Sequence, residues 1–391
     1  MCLENLWKNV REIDAQLVEL FNDRARVASE IRKLLQRMEQ TRENGELPSD
    51  RAVDYRQIAM ETLEHAAESN RGELADADLR RIFREILAVY RQFIQPRRYT
   101  TACLGPLGTH SHLAASKCFG EDCVYVFVED ELEMLRKVTA GEVDYGVIAI
   151  GNSVGGYKGE TIDLLAERVG VGWGSDDDKA VRICGEASIK VDHFLLGRGS
   201  LEAVREIYSH SQAFIQCRNQ LRRLKTQVGF RDLKLVAERS TAEAAHKAAL
   251  DRSGTVAAIA NRLAADLWQL RILREHMEDD SSNTTRFVVV GRECRAPTGR
   301  DRTSMWFRVS GSRKFLDALL AFRDLGVSIS QIVSRPVADE VWAQSFFVEA
   351  EGHVDDEPVK RAVEKMQECC KRDHLKILGS YPRTVETYLS G

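Results

Sequence analysis

Thr101-Ala-Cys-Leu-Gly-Pro-Leu-Gly-Thr-His-Ser-His112 marks the place where the chain changes its period. The run Thr101–Leu104 is short, apolar and β-rich, and it stops at a glycine–proline turn. Thr109 and Ser111 follow as short polar groups just beyond the predicted strand. From Tyr99 onward the same alternation continues, with β-rich runs at Val124–Phe127, Tyr145–Ile150, Ile183–Leu196, Leu235–Ala237, Val256–Ile259 and Arg286–Val290. Helical spacing fills the intervals, as in Leu132–Ala140 and Thr241–Leu250. Strands alternating with helices predict an α/β segment.

Upstream the period is different. Leu6, Val10, Ile13, Leu17, Leu20, Val27, Ile31, Leu34 and Met38 step by threes and fours, a heptad seam along one long helix. Arg24 occupies a seam position, where a guanidinium needs an anion, a carboxylate or water. Gly45 and Pro48 break the helix, and further helical stretches cover Val53–Ser69 and Asp78–Gln95. A helix of roughly 50 Å, at 1.5 Å per residue, cannot bury its seam within so small a segment, so a partner chain is expected to complete the bundle. Downstream of Arg295-Ala-Pro-Thr-Gly299 the order is strand Thr303–Val309, helix Lys314–Leu325, strands Val327–Ser334 and Val341–Ala350, helix Glu357–Lys371, strand Leu375–Leu378. That βαββαβ order is ferredoxin-like.

Composition sets the outer limits. The 391 residues favour two or three domains. Hydrophobic residues at 43% and charged residues at 30% are an ordinary globular balance, and a net charge of −4 leaves no basic footprint for nucleic acid. The first residues lack an apolar h-region, no apolar run is long enough for a membrane span, and nine cysteines without metal spacing read as reduced thiols. A cytoplasmic protein with small-molecule partners, no cofactor and no bound metal is expected.

Four motifs stand in a telling order: Gly105-Pro-Leu-Gly-Thr-His-Ser-His112, Tyr208-Ser-His-Ser-Gln-Ala-Phe-Ile-Gln-Cys217, Ser240-Thr-Ala242 and Asn283-Thr-Thr-Arg-Phe287. They are preceded by the helical segment and followed by a unit ending Leu378-Gly-Ser-Tyr-Pro382. In this order the chain resembles the bifunctional chorismate mutase–prephenate dehydratase family over essentially its whole length. The resemblance implies three parts: an all-α mutase-like domain at 1–97, a two-lobed α/β dehydratase domain at 100–295 with a cleft and hinge-like crossovers, and an α+β, ferredoxin-like ACT domain at 302–386. It further implies conversion of prephenate to phenylpyruvate, in phenylalanine biosynthesis on the shikimate pathway or a related specialised pathway. Thr285 and Arg286 match the family's threonine–arginine pair, Thr285 as the hydrogen-bond donor to the leaving hydroxyl and Arg286 as the electrostatic anchor. Thr109, Ser111, Asn152, Ser153, Ser209, Gln212, Ser240, Thr241 and Phe287 are the implied substrate-binding set; a helix N-cap is the plainer role for each Ser or Thr. His112, His193 and His210 are open between structural and substrate roles.

The chain departs from the family at all three ligand sites. In the mutase segment Arg24 and Arg56 match family arginines, but Trp7 and Leu35 replace an arginine and a lysine, and Tyr90 and Ile94 replace polar groups. Fixed positive charge beside the breaking ether bond is what that reaction needs, and Trp and Leu cannot supply it. This segment is expected to be catalytically lost and kept for dimerisation. In the dehydratase segment Gly151 replaces the glutamate of Pro-Ile-Glu-Asn-Ser, and residues 168–179 form an insertion, expected to be a solvated surface loop or, failing that, an altered lid. In the ACT-like unit Lys314, Phe315 and Leu316 stand where the family has Gly-Ala-Leu, and Val333, Ser334 and Arg335 correspond to Glu-Ser-Arg, which predicts weak phenylalanine feedback. Two alternatives follow: a non-aromatising conversion of a prephenate-like acid, or a non-catalytic protein that binds such acids and regulates. A homodimer or homotetramer is expected throughout.

Overall fold

The computed structural model describes residues 3–43, 55–94, 99–120, 123–173, 177, 180–227, 233–294, 296–309, 312–337, 344–370 and 374–383. The chain divides into two compact units, Met1–Arg98 and Tyr99–Gly391.

The first unit is helical, with α1 (Leu3–Glu43), α2 (Tyr55–Glu68) and α3 (Asp76–Ile94). Three helices of unequal length bury only part of the longest one. The seam residues Leu6, Val10, Ile13, Leu17, Leu20, Val27 and Leu34 are exposed, Leu20 at 61%. Contiguous exposed apolar patches are the kind of surface that interaction sites use.

The second unit contains three sheets. The first is assembled from β1 (Thr100–Leu104), α4 (His110–Phe119), β2 (Val124–Val128), α5 (Glu131–Ala140), β3 (Tyr145–Asn152), β4 (Gly156–Tyr157), α6 (Gly159–Arg168), β5 (Val171–Gly172) and β6 (Arg182–Lys190). The chain then crosses to a second sheet through β7 (Phe194–Gly197), β8 (Glu206–His210), α7 (Ser211–Gln216), α8 (Arg218–Gln227), β9 (Lys234–Glu238), α9 (Thr241–Leu250), β10 (Val256–Ala260), α10 (Arg262–Trp268) and β11 (Arg271–Arg274). It returns to the first sheet as β12 (Thr284–Gly291). The strand orders are β2-β1-β3-β12-β6, with β4 on β3, and β11-β7-β10-β8-β9. The predicted single run Ile183–Leu196 is therefore two strands in two sheets, broken at residues 191–193. The break is one of the two crossings, and it is hydrogen-bonded to the other: Val191 N donates to Asn283 O and Met277 N to His193 O, both at 2.8 Å.

The third sheet comes from β13 (Asp301–Arg308), α11 (Ser312–Asp324), β14 (Ile329–Pro336), β15 (Gln344–Glu351), α12 (Glu357–Cys369) and β16 (Leu375–Pro382), in the order β14-β15-β13-β16-β5. All its pairings are antiparallel. Alternation along β15 and β16 sends side chains to two cores. Met305, Phe307, Phe322, Val348, Val363 and Met366 lie on the face covered by α11 and α12. Phe347, Leu378 and Tyr381 turn the other way and join Ile148, Ile150, Ile162, Leu165 and Ile183 of the first sheet. Each such side chain contributes about 1.5–3 kcal/mol when fully buried, which is why 99–391 is one unit rather than two. The approach is close enough that a Cβ at Gly379 would stand 2.0 Å from Ile183 O.

Of the insertion, residues 174–176 and 178–179 lie outside the described residues. Its residues Val171 and Gly172 form β5 on the edge of the third sheet, and Trp173 packs on that sheet's core with its N–H on Leu375 O. Among the described residues, no helix is long and apolar enough to cross a membrane.

Candidate active site

Period-two alternation along β12 decides which groups can act together. Phe287 and Val289 face the core beneath α4, whereas Val288 and Val290 face the core shared with the third sheet. Thr285 shares the α4 side with its cross-strand partner Ile189, and Arg286 the opposite side.

Thr285 lies opposite Asn152, the last residue of β3. Asn152 Oδ1 accepts from the backbone N–H groups of Val154 and Gly155, at 3.0 and 3.1 Å. This fixes the amide orientation, since only oxygen accepts from them. Asn152 Nδ2 therefore donates to Thr285 Oγ1 at 3.0 Å and to Asn283 Oδ1 at 2.6 Å. A threonine hydroxyl has one hydrogen and two lone pairs; with Asn152 on a lone pair, the hydrogen is left to donate. Ser153 locks the adjoining backbone, its N–H on Thr284 O at 2.8 Å and its Oγ accepting from Thr284 N at 3.0 Å. Asn152, Ser153 and Thr285 are thus brought together. Asn283 was missed by sequence reading, although its i, i+2 spacing from Thr285 in a β context was a usable signal.

A second group gathers where helices start. Thr109 caps α4, accepting from His112 N and donating to Leu104 O at 2.8 Å. Ser111 is buried in the first turn of α4. Ser240 caps α9 by accepting from Glu243 N, and Thr241 is its first residue. Ser209 is buried with its hydroxyl on Ile259 O at 2.7 Å, and Gln212 N donates to His210 Nδ1. The loop leaving the first sheet meets the helices of the second here: buried Asn261 caps α10 and its Nδ2 donates to Gly108 O at 3.0 Å. Gly108 has φ +91°, which favours glycine, and a Cβ there would lie 3.6 Å from Ala264 and 3.7 Å from Ala242, so the loop before α4 runs alongside α9 and α10. The starts of α4 and α9 therefore converge, and helix N-termini favour carboxylates.

At the crossing from the first sheet to the second, the ring of His110 packs edge-on against His193, with centroids 5.9 Å apart. His193 N donates to Glu278 at 2.8 Å and His193 Nε2 meets Gln216 Oε1 at 2.9 Å. His193 Nδ1 and His110 Nε2 are buried and lack a hydrogen-bond partner among the described residues. Burial, and then the neighbouring His193 ring, lower the His110 pKa to about 4; burial also lowers that of His193. Both rings are neutral near pH 7. His112 is wedged between Tyr125 and Phe127, a structural position. His110 and Gln216 lie within quoted motifs but were not singled out.

Arg286 and Phe287 depart from their expected roles. Phe287 is buried in the core. The Arg286 guanidinium points away from Thr285, with Nε on Glu186 at 3.0 Å, NH1 on Tyr157 OH at 2.9 Å and on Glu349 at 2.5 Å, and NH2 on Glu186 at 2.6 Å and Glu349 at 2.8 Å. Burial opposes its charge, but the Tyr381 hydroxyl and the Glu349 and Glu186 carboxylates outweigh it and raise the pKa. Burial likewise pushes the Glu349 carboxyl up, and Arg286 and Arg302 overcome that and hold it below the usual range. A cavity of about 960 Å³ opens beside this cluster. Gly151 is Arg286's partner across the strands, and a Cβ there would meet Gly156 and Tyr157. The missing glutamate thus belongs to the Arg286 side, not to the Thr285 side.

The remaining residues are scattered. Phe315 stacks on Phe346 with centroids 4.0 Å apart, Lys314 and Leu316 are exposed, and Val333 packs on the core shared with the first sheet. Ser334 is exposed, and Arg335 makes a two-point contact with Asp163 of α6 at 2.9 and 2.6 Å. In the helical unit Arg24 borders a cavity of about 450 Å³ with His65, Ser69 and Arg71. Trp7 is exposed, and the side chains of Arg56, Leu35, Tyr90 and Ile94 lie outside the described residues.

A prephenate dehydratase family model matches residues 101–295. A bifunctional chorismate mutase/prephenate dehydratase of Neisseria gonorrhoeae is 33% identical, over 95% of this chain and 95% of its own length. Among solved structures, a prephenate dehydratase from Arthrobacter aurescens in complex with L-Phe is 27% identical with a TM-score of 0.62, over 73% of this chain and 90% of that one. A protein described as a novel type of quorum quenching acylase has the same identity and a TM-score of 0.63, over 73% of this chain and 98% of its own.

Proposed function

The chain belongs to the bifunctional chorismate mutase/prephenate dehydratase family, and from that premise we propose that it converts prephenate to phenylpyruvate through residues 99–295. The ring carboxylate leaves as carbon dioxide, and the carbon–carbon electron pair becomes part of the aromatic ring. The ring carbon–oxygen bond breaks with its own pair, and the departing hydroxide is protonated to water. Aromatisation drives the step, so the protein has to orient a dianion and stabilise the leaving oxygen.

The observation that carries this reading is the Asn152–Thr285 pair: the amide takes a lone pair of the hydroxyl and leaves its hydrogen to donate. The converging starts of α4 and α9 suit the carboxylates. Gly151 supplies no ground for a non-aromatising reaction, because its position is on the Arg286 side of the sheet.

The helical unit is read as a dimerisation element in which chorismate mutase catalysis is lost. The exposed α1 seam and the exposure of Trp7 support this. The 302–386 segment is read as an ACT-like regulatory unit with weakened phenylalanine binding, because Phe315 fills its own neighbourhood by stacking; micromolar affinity by calorimetry would contradict it. The protein is read as a cytoplasmic homodimer or homotetramer.

The test is incubation with prephenate at neutral pH, identifying the product by mass and ultraviolet absorbance, beside Thr285→Ala. Phenylpyruvate from the unaltered protein alone supports the reading. A non-aromatic decarboxylated product would replace it with the second chemistry, and no turnover with a binding protein.

A further inference from the structure

We propose that Glu349 of the third sheet is a positioning residue for the dehydration, acting on Thr285 through Arg286; the kinetic part of this proposal rests on the dehydratase reading above. Thr285 and Arg286 are consecutive in β12 and project from opposite faces. Twisting the end of that strand about its own axis moves the two side chains in opposite senses. Each is clamped. On one face Asn152 holds Thr285 Oγ1 at 3.0 Å. On the other, Arg286 has all five N–H groups directed at acceptors: Glu186, Glu349 and the hydroxyls of Tyr157 and Tyr381.

These partners are not equivalent. Glu186 belongs to β6, the neighbouring strand of the same sheet, and reaches the third sheet through Arg302 NH1. Glu349 reaches across from β15, with Tyr381 of β16 behind it at 3.3 Å from Arg286 NH2. Glu349 is fully buried, and it is itself oriented by Ser304 Oγ at 3.0 Å and Tyr381 OH at 3.2 Å. A bidentate carboxylate–guanidinium pair has a defined plane, so it transmits orientation and not only attraction. The register of β12 against β3 shifts between Arg286 and Phe287. The clamp therefore grips the strand next to the irregularity on its β3 side, while the β6 side keeps its register there. With Gly151 opposite Arg286, the β3 side offers no side chain that could take over from Glu349.

The experiment compares Glu349→Gln, Glu349→Asp and a control, Asp163→Ala, in the full-length protein. Asp163→Ala loosens the same two layers at the Arg335 contact, away from Arg286. Two readouts are taken: steady-state kinetics with prephenate, and amide hydrogen exchange by mass spectrometry in peptides covering residues 150–156 and 283–288. The expected result is a kcat about tenfold or more lower in Glu349→Gln with KM within about threefold, partial recovery in Glu349→Asp, and faster exchange in those peptides. Asp163→Ala should show none of these. Unchanged kcat in Glu349→Gln, or an equal loss in Asp163→Ala, would overturn the positioning role. If the unaltered protein makes no phenylpyruvate, the function reading fails separately. The mechanical link is then judged on exchange alone, and unchanged exchange at residues 283–288 in Glu349→Gln would overturn it.

Discussion

The two units of this chain dispose of their hydrophobic residues in opposite ways. In residues 1–98 the longest helix carries its apolar seam on the outside, with Leu20, Val27 and Leu34 exposed. In residues 99–391 the corresponding side chains are inside: Phe347 of the third sheet and Ile150 of the first are both fully buried in one core. Buried apolar area is the dominant favourable term in folding. The second unit therefore carries its own stabilisation, while in the first the described seam residues of α1 stay exposed. The same division runs through the chemistry. The second unit places Asn152 against Thr285, whereas in the first Trp7 stands exposed.

The contrast can be broken most forcefully at the reacting group. Thr285→Ala should lower kcat by about a hundredfold or more, the range for a lost proton or hydrogen-bond donor. Arg24→Ala should leave phenylpyruvate formation unchanged. Chorismate consumption that disappears in Arg24→Ala would return catalysis to the helical unit.

Next in size is the shared core. Phe347→Ala should destabilise residues 99–391 by about 3–5 kcal/mol, and the first and third sheets should unfold in one transition. Two separate denaturant transitions within this unit would show the sheets to be independent after all.

A smaller effect is expected from acid. His110 is lowered in the folded protein, so the folded state binds fewer protons than the unfolded state between the ordinary value of 6.5 and about 4. Stability is then full above the unfolded value and falls as the pH drops through that window, by up to about 3 kcal/mol. Denaturant titrations at pH 7 and pH 4.5 measure this, and His110→Phe should flatten the difference.

The smallest effect on the second unit should come from the seam. Leu20→Lys should shift the protein to a smaller species in sedimentation while altering the stability of residues 99–391 by less than about 0.5 kcal/mol. An unchanged sedimentation coefficient would mean that the stripe is covered by something other than a second copy.

Much of this architecture can be read from residue order. The long helix follows from its heptad, the βαββαβ order from its periods, and the strands at Thr101–Leu104, Tyr145–Ile150 and Val256–Ile259 from short apolar runs. The apolar run Ile183–Leu196 could not be divided in advance, because Val191 and Phe194 suit strands in either sheet. What divides it is the hydrogen bonding of Val191 N and His193 N to Asn283 and Glu278 on the returning segment, some 85 residues or more away. The strand Glu206–His210 was passed over because its residues are polar enough to resemble a loop, and it gains its place by pairing between β10 and β9.

By itself the sequence determined the chemical types at the site: a threonine, the asparagine at the end of β3, serines at strand ends, and an arginine beside the threonine. Only the tertiary structure decided which of them act on the same side. Thr285 and Arg286 are neighbours in the chain, so reading along it joins them in one role. The pleat puts successive side chains on opposite faces, and each face is then covered by distant residues. Asn152 meets the first and Glu349 the second. Adjacency is a covalent property and legible at once; sidedness depends on which surfaces exclude water, and that is settled only when the sheets pack.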